Sequence, residues 1–330
     1  MKKQAIFIAG DENIYFPALV ALESIKEYNN DIFDMFMCFD GSKLTPYMQQ
    51  TLSKHSINFI DTKELRKFGI EEKFSMMIEN HWPIDIFYNY ALPIYLGELG
   101  YTYSYKVDYD ILCVGKYILD EIEPRDVFFS GWTNKVNLEK ENIEKETIKK
   151  LIDDNIISGQ TIDYMNVGFL GFNNKNYTEQ KIFEKLSDAY LLLKRESPNA
   201  KLLEQIAFAL VIESTKGKFK KIPETYNHRV LSTRESNDNF EFDTKNIHFI
   251  TKFKPWRKLE KNIIKWFIFN NGSHMYLYRN LWLDYASKID GFEIFCMEKP
   301  LTTKQLVGME MHIVRCFNEK LNSLKPQVKG

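Results

Sequence analysis

Residues 101–114, Tyr-Thr-Tyr-Ser-Tyr-Lys-Val-Asp-Tyr-Asp-Ile-Leu-Cys-Val, set an aromatic, β-prone run directly against a second apolar run, with Asp108 and Asp110 at the join. Carboxylates are costly to bury without a partner, so two of them one residue apart at a strand end imply a shared cation. Hard oxygen ligands suit Mg²⁺ or Mn²⁺, with coordination positions left open for the phosphates of a nucleotide. On its own the Asp-X-Asp pair fits a strand-ending turn with two solvated acids equally well, and the rest of the chain has to decide.

The sequence ahead of this join alternates between strand and helix. Residues 4–9 read as a buried parallel strand, 10–13 as the turn after it, and Tyr15 to Tyr28 as a helix with Pro17 in its first turn. A second strand over 33–39, a helix starting near Thr45-Pro46, a short strand over 57–60 and a helix over 85–99 follow. This pattern predicts an α/β fold built on a mostly parallel, doubly wound sheet. Ligands of such sheets lie outside the carboxyl ends of the strands, where Asp11 and Asn13 are placed either to hydrogen-bond a base or to cap the following helix. No Gly-X-Gly-X-X-Gly follows the first strand and no Gly-Lys-Ser/Thr loop occurs, which excludes dinucleotide and P-loop sites. A nucleotide bound here needs a metal to neutralise its phosphates.

Composition narrows the partners. A formal net charge of −1 over 330 residues lacks the basic excess of nucleic-acid binders, so no nucleic acid is expected. Cys38, Cys113, Cys296 and Cys316 form no Cys-X-X-Cys pair and read as reduced thiols of a cytoplasmic protein, with no zinc site. The apolar run at the start is too short for the core of a signal peptide, and no run approaches the roughly 18 residues that cross a bilayer.

Beyond the aspartates the pattern predicts a strand over 127–132, a charged, solvated helical stretch over 138–155 and a glycine-interrupted strand over 163–172. An amphipathic helix through Ile182, Phe183, Leu186, Tyr190 and Leu193 comes next, then a helix from about Lys201 with Glu204-Gln205 in its first turns. The strand Ile247-His248-Phe249-Ile250 runs into Thr251-Lys252-Phe253-Lys254-Pro255-Trp256.

In this order, Ala9-X-Asp11-X-Asn13, Asp108-X-Asp110, Asn166-X-Gly168, Glu204-Gln205, a Tyr-Asn pair and His248 six residues ahead of Lys254-Pro-Trp resemble glycosyltransferase family 8, the retaining GT-A enzymes, over about residues 4–256. The resemblance implies a UDP-sugar donor, galactose or glucose first, and transfer of the hexose with retention to a hydroxyl of a bacterial surface glycan such as lipopolysaccharide or capsule. It implies that Ala9, Asp11 and Asn13 hold the uracil, that Asp108, Asp110 and His248 bind Mn²⁺ or Mg²⁺, with Asp108 also near the ribose, and that Lys254 meets the diphosphate. Asn166 and Gly168 would line the donor-sugar pocket, Glu204 would hold sugar hydroxyls, Gln205 would lie under the anomeric carbon, and Thr251 takes the place of a Gly in the nucleotide-binding loop. The family's Arg after Tyr-Ala is Leu92 here, the Tyr after its opening motif is Ile14, and Thr133 stands where some bacterial members have an acceptor-side Asp. These departures leave the sugar open.

The domain division expected is a GT-A catalytic domain over 1–256 and a basic, aromatic, helical appendage over 257–330, including an amphipathic helix from Thr302 to Leu324. That appendage packs on the catalytic domain or a second subunit, or rests on a membrane surface carrying a lipid-linked glycan acceptor. The competing functions are a non-catalytic nucleotide-sugar or glycan-binding protein of the same fold and a sugar nucleotidyltransferase. The second lacks the glycine-rich arginine loop it would need after the first strand.

Overall fold

A computed structural model describes residues 3–29, 32–74, 84–216, 218–230, 243–250, 254–256 and 274–298, together with 311, 314, 315, 318 and 319. Among the described residues ten strands form two sheets. They are β1 Gln4–Ala9, β2 Asp34–Phe39, β3 Ile57–Asp61, β4 Tyr103–Val107, β5 Ile111–Cys113, β6 Phe129–Asn137, β7 Thr161–Asn173, β8 Phe219–Lys221, β9 His228–Arg229 and β10 Asn246–His248. The large sheet has the order β3-β2-β1-β4-β7-β6-β8, and β5-β10-β9 make the small one. From β3 to β4 the neighbours are parallel, whereas β7 runs antiparallel to both β4 and β6.

The main sheet is mostly parallel and flanked by helices, as the alternation predicts. Along β1, Ala5 and Phe7 enter one apolar cluster while Ile6 and Ile8 enter the other, so both faces of this strand are covered and its sequence is apolar from Ala5 to Ala9. The helix α1, Tyr15–Asn29, lies in the cluster with Ile6 and Ile8; α2, Pro46–Lys54, is capped by Thr45, whose hydroxyl accepts from Met48 N at 3.2 Å. On the opposite face are α3 Asp85–Glu98, α4 Lys145–Asp153, α5 Ile182–Glu196 and α6 Leu203–Ser214, with α6 packed on both β7 and α5. The charged stretch expected to be solvated is anchored there through Leu138, Ile143, Ile148 and Leu151. Leu92, at the place of the family's Arg, is fully buried in α3 and is core.

Two further helices, α7 His274–Ala286 and α8 Phe292–Glu298, belong to the segment expected as an appendage. Tyr278, Trp282, Ala286 and Phe295 share the apolar cluster of α1, with Phe295 stacked on Phe16 at 4.7 Å and Trp282 against Trp256 at 5.0 Å. A large part of the aromatic surplus in this region is therefore core. Of the amphipathic helix expected from 302, the described residues 311, 314, 315, 318 and 319 are helical and exposed, and the remainder lies outside the described residues. Among the described residues no helix is long and apolar enough to cross a membrane. Cys38 and Cys113 are buried and free.

Candidate active site

The site forms where the chain leaves one sheet for the other. β4 ends at Val107, Asp108 and Asp110 occupy the turn, and Ile111 begins β5 in the small sheet. Asp108 N donates to Gly168 O on β7 at 2.9 Å, fixing one end of the turn to the large sheet. At the other end, β10 pairs antiparallel with β5, setting His248 opposite Ile111, and Phe249 N donates to Asp110 O at 2.9 Å. That register brings a histidine remote in sequence next to both aspartates.

Asp108, Asp110 and His248 each offer a ligand atom, all within 4.8 Å of one another. His248 Nε2 lies 3.3 Å from Asp110 Oδ1 and 3.5 Å from Asp108 Oδ2. Its other nitrogen, Nδ1, is 2.7 Å from Asn227 Oδ1, and Asn227 Nδ2 donates to Asn166 Oδ1 at 2.6 Å. Gly168 N donates to the same Asn166 oxygen at 3.0 Å. A Cβ added at Gly168 would lie 2.3 Å from His248 Cε1, so this glycine is the floor on which the imidazole rests.

Two lysines complete the site. The Lys106 ammonium, on β4, pairs with Asp108 and donates to Val167 O at 2.7 Å; its side chain is only 4% exposed. Lys254 pairs with Asp110 and donates to Phe249 O at 2.9 Å, with its ammonium 5.5 Å from the Tyr109 ring centre. Burial would raise the Asp110 carboxyl, but His248 and Lys254 outweigh it and hold the group well below the ordinary carboxylate range. Asp110 Oδ1 is nonetheless buried without a hydrogen-bond partner. An orphaned carboxylate oxygen beside a second carboxylate and an imidazole nitrogen is a donor set that fits a divalent cation of the Mn²⁺ or Mg²⁺ kind.

The other expected residues fall into place less completely. Ala9 ends β1, its carbonyl accepting from Asn89 Nδ2 at 3.4 Å, and Asp11 caps a short 3₁₀ turn by accepting from Asn13 N at 2.9 Å. Asp85, at the start of α3, is raised by burial and then by the neighbouring charge of Asp11, which marks an acidic corner at this end of the sheet. Glu204 and Gln205 stand in the first turn of α6, entered from Leu202 in the left-handed region at φ 52°. Among the described residues no hydrogen bond or ion pair reaches Glu204, and desolvation alone pushes its carboxyl from 4.5 to about 8. Thr251 lies outside the described residues. Sequence reading missed Lys106 and gave no role to Asn227. An alternating strand does carry the first as a lysine among aromatics, but the second had no local signal beyond its Tyr-Asn pair.

A mostly parallel sheet with an Asp-X-Asp turn at a strand's carboxyl end defines a GT-A-type glycosyltransferase. The model of glycosyl transferase family 8 matches residues 5–260, and the chain belongs to that family. Among solved structures it is similar to the galactosyltransferase LgtC in complex with donor and acceptor sugar analogs, at 14% identity and TM-score 0.56, covering 87% of this chain and 96% of that one. It is also similar to the bifunctional glycosyltransferase WbbM, at 14% identity and TM-score 0.57, covering 90% of this chain and 52% of that one. The glycosyltransferase GlyE of Streptococcus pneumoniae matches at 15% identity and TM-score 0.51, over 90% of this chain and 63% of that one. At these identities the likeness carries the fold. No curated protein matches the chain significantly.

Proposed function

We propose that the protein transfers a hexose from a UDP-sugar, galactose or glucose first, to a hydroxyl of a bacterial surface glycan, with retention of anomeric configuration and in dependence on Mn²⁺ or Mg²⁺. The observation that carries this reading is the convergence of Asp108, Asp110, His248 and Lys254 from separate elements on one turn. A protein relieved of catalysis gains nothing from burying such a cluster, since each charge costs several kcal/mol, on the order of the penalty for unpaired ions, to desolvate. That weighs against a purely sugar-binding role.

In this reading Asp108, Asp110 and His248 hold the divalent cation, which when bound neutralises the donor diphosphate and stabilises the departing UDP. Lys254 leaves Asp110 for the diphosphate and offsets charge that develops as the glycosidic bond breaks. Ala9, Asp11 and Asn13 contact the uracil, Asn166 and Gly168 border the donor sugar, and Thr251 lies in the nucleotide-binding loop. Half-buried in the first turn of α6, with desolvation raising its carboxyl, Glu204 in its protonated form donates a hydrogen bond to a sugar oxygen. A neutral acid and an amide are both poor nucleophiles, so Gln205 shields and polarises the anomeric centre while the acceptor hydroxyl adds on the face that UDP leaves, its proton passing to the departing phosphate. Residues 1–256 form the catalytic unit and 257–330 the appendage, which meets a membrane surface or a second copy while the enzyme works in the cytoplasm.

Incubation with UDP-galactose or UDP-glucose and Mn²⁺ should release free UDP. Release of pyrophosphate from UTP and a hexose 1-phosphate would instead indicate nucleotidyl transfer, and no release of UDP from any UDP-hexose while UDP still binds would support the binding-protein alternative.

A further inference from the structure

Behind His248 three groups are hydrogen-bonded in series, and the chemistry of the first fixes the rest. The Gly168 backbone N–H can only donate, so the Asn166 atom it meets at 3.0 Å is the carboxamide oxygen. The Asn227 atom 2.6 Å from that oxygen must then be the amide nitrogen, donating. This leaves Asn227 Oδ1, an acceptor, facing His248 Nδ1 at 2.7 Å. The hydrogen of the neutral ring is thereby held on Nδ1, and the Nε2 lone pair is aimed at Asp108 Oδ2 and Asp110 Oδ1. With one hydrogen fixed on Nδ1, Nε2 facing two carboxylates carries either a second proton, as the imidazolium, or a bound cation in its place. Asn227 is fully buried and Asn166 nearly so, so water does not compete for these bonds.

Resting on the reading of Asp108, Asp110 and His248 as a cation site, we propose that Asn227 is a positioning residue for cation binding. With Asn166 as its anchor, it locks His248 into the tautomer and orientation that present Nε2 as a ligand. Partners of this kind behind a ligating histidine raise its basicity and fix its ring, and their loss costs about 10- to 100-fold in metal affinity.

The test is Mn²⁺ binding followed by electron paramagnetic resonance for wild type, Asn227→Leu, His248→Gln and the double variant, with long-range ¹H–¹⁵N correlation of the His248 ring without paramagnetic metal. Asn227→Leu should weaken Mn²⁺ binding by about 10- to 100-fold and abolish the pure Nδ1–H signature, yet cause no further loss when added to His248→Gln. Equal losses in both backgrounds would show a merely structural role and overturn the proposal, as would an unchanged affinity. Should Asn227→Leu fail to fold, Asn227→Asp, which keeps an acceptor at Nδ1, and Asn227→Ser, too short to reach it, supply the same contrast, with Asp expected to bind Mn²⁺ more tightly than Ser. Wild type that binds no Mn²⁺, with or without UDP, would instead overturn the cation-site reading itself, a result distinct from Mn²⁺ binding that is indifferent to Asn227.

Discussion

The imidazole of His248 occupies the space that a side chain at Gly168 would fill. Two strands from different sheets touch there with no room between them. Gly168→Ala should displace the ring, lowering stability by about 1–3 kcal/mol, as overpacking of a filled site does, and weakening Mn²⁺ binding with it. Thermal unfolding and a metal titration on the same sample check this, and a variant unchanged in both would show that the contact yields freely.

Asp110 faces His248 and Lys254 at once, and removing its charge takes away one cation ligand and the lysine's partner. Asp110→Asn should lower turnover by at least about 100-fold, beyond the loss typical of residues that only support a ligand. Chelation with EDTA should have the same effect on wild type, reversed by Mn²⁺. Full activity in EDTA would exclude the metal-dependent reading.

Lys254 serves two anions in turn, Asp110 in the structure and the diphosphate in the proposed reaction. Lys254→Ala should reduce kcat by roughly 10- to 100-fold with a smaller change in KM for the UDP-sugar, because the attraction grows as charge develops on the leaving group. Loss confined to KM would mean uniform donor binding instead.

Glu204 gives a pH signature. Its folded carboxyl is raised to about 8 while the unfolded one titrates near 4.5, so its contribution to stability is complete below 4.5 and declines as pH rises toward 8. Glu204→Gln should gain stability over wild type across that window, by at most about 1.4 kcal/mol per pH unit, and should lose the fall in activity above pH 8 that ionisation of Glu204 imposes. Denaturant melts and rate profiles from pH 5 to 9 decide it; parallel curves for the two proteins would place Glu204 in contact with water.

Retention is checked by proton NMR of the first-formed product from an α-linked UDP-sugar. An α-anomeric product is expected, with Gln205→Ala slower by about 10- to 100-fold, a loss in keeping with positioning and electrostatic support. A β-anomeric signal would remove the role given to Gln205.

The fold was legible wherever burial is two-sided. β1 and β2 are apolar runs after their first residue and are bounded by turn residues, so periodicity alone places them within a residue or two, whereas the edge strand β3 shows only the short pattern Ile57-Asn58-Phe59-Ile60 with Asn58 exposed. The sheet order was not legible, because β7 inserts between β4 and β6 through pairings remote in the chain. At the site, the motif spacing indicated Asp108, Asp110, His248 and Lys254. Lys106 and Asn227 escaped because their significance lies in what crosses over from another strand: Val167 O meets the lysine, and the oxygen of Asn166 meets the asparagine. Asp11 shows why the uracil contact stays a proposal, since the same carboxylate already satisfies a local backbone N–H.

The turn at Asp108 and Asp110 also joins the two sheets mechanically. A cation held there by His248 would close a very long stretch of chain with one non-covalent link, a closure whose entropic cost grows only slowly with length. Any ion bound only by the folded protein adds stability through mass action, by about 2.7 kcal/mol at a hundredfold excess over its dissociation constant. The seam between the large and small sheets should then be the region whose amide exchange slows most when Mn²⁺ is added, making the ion a clasp for the architecture as well as a partner in the chemistry.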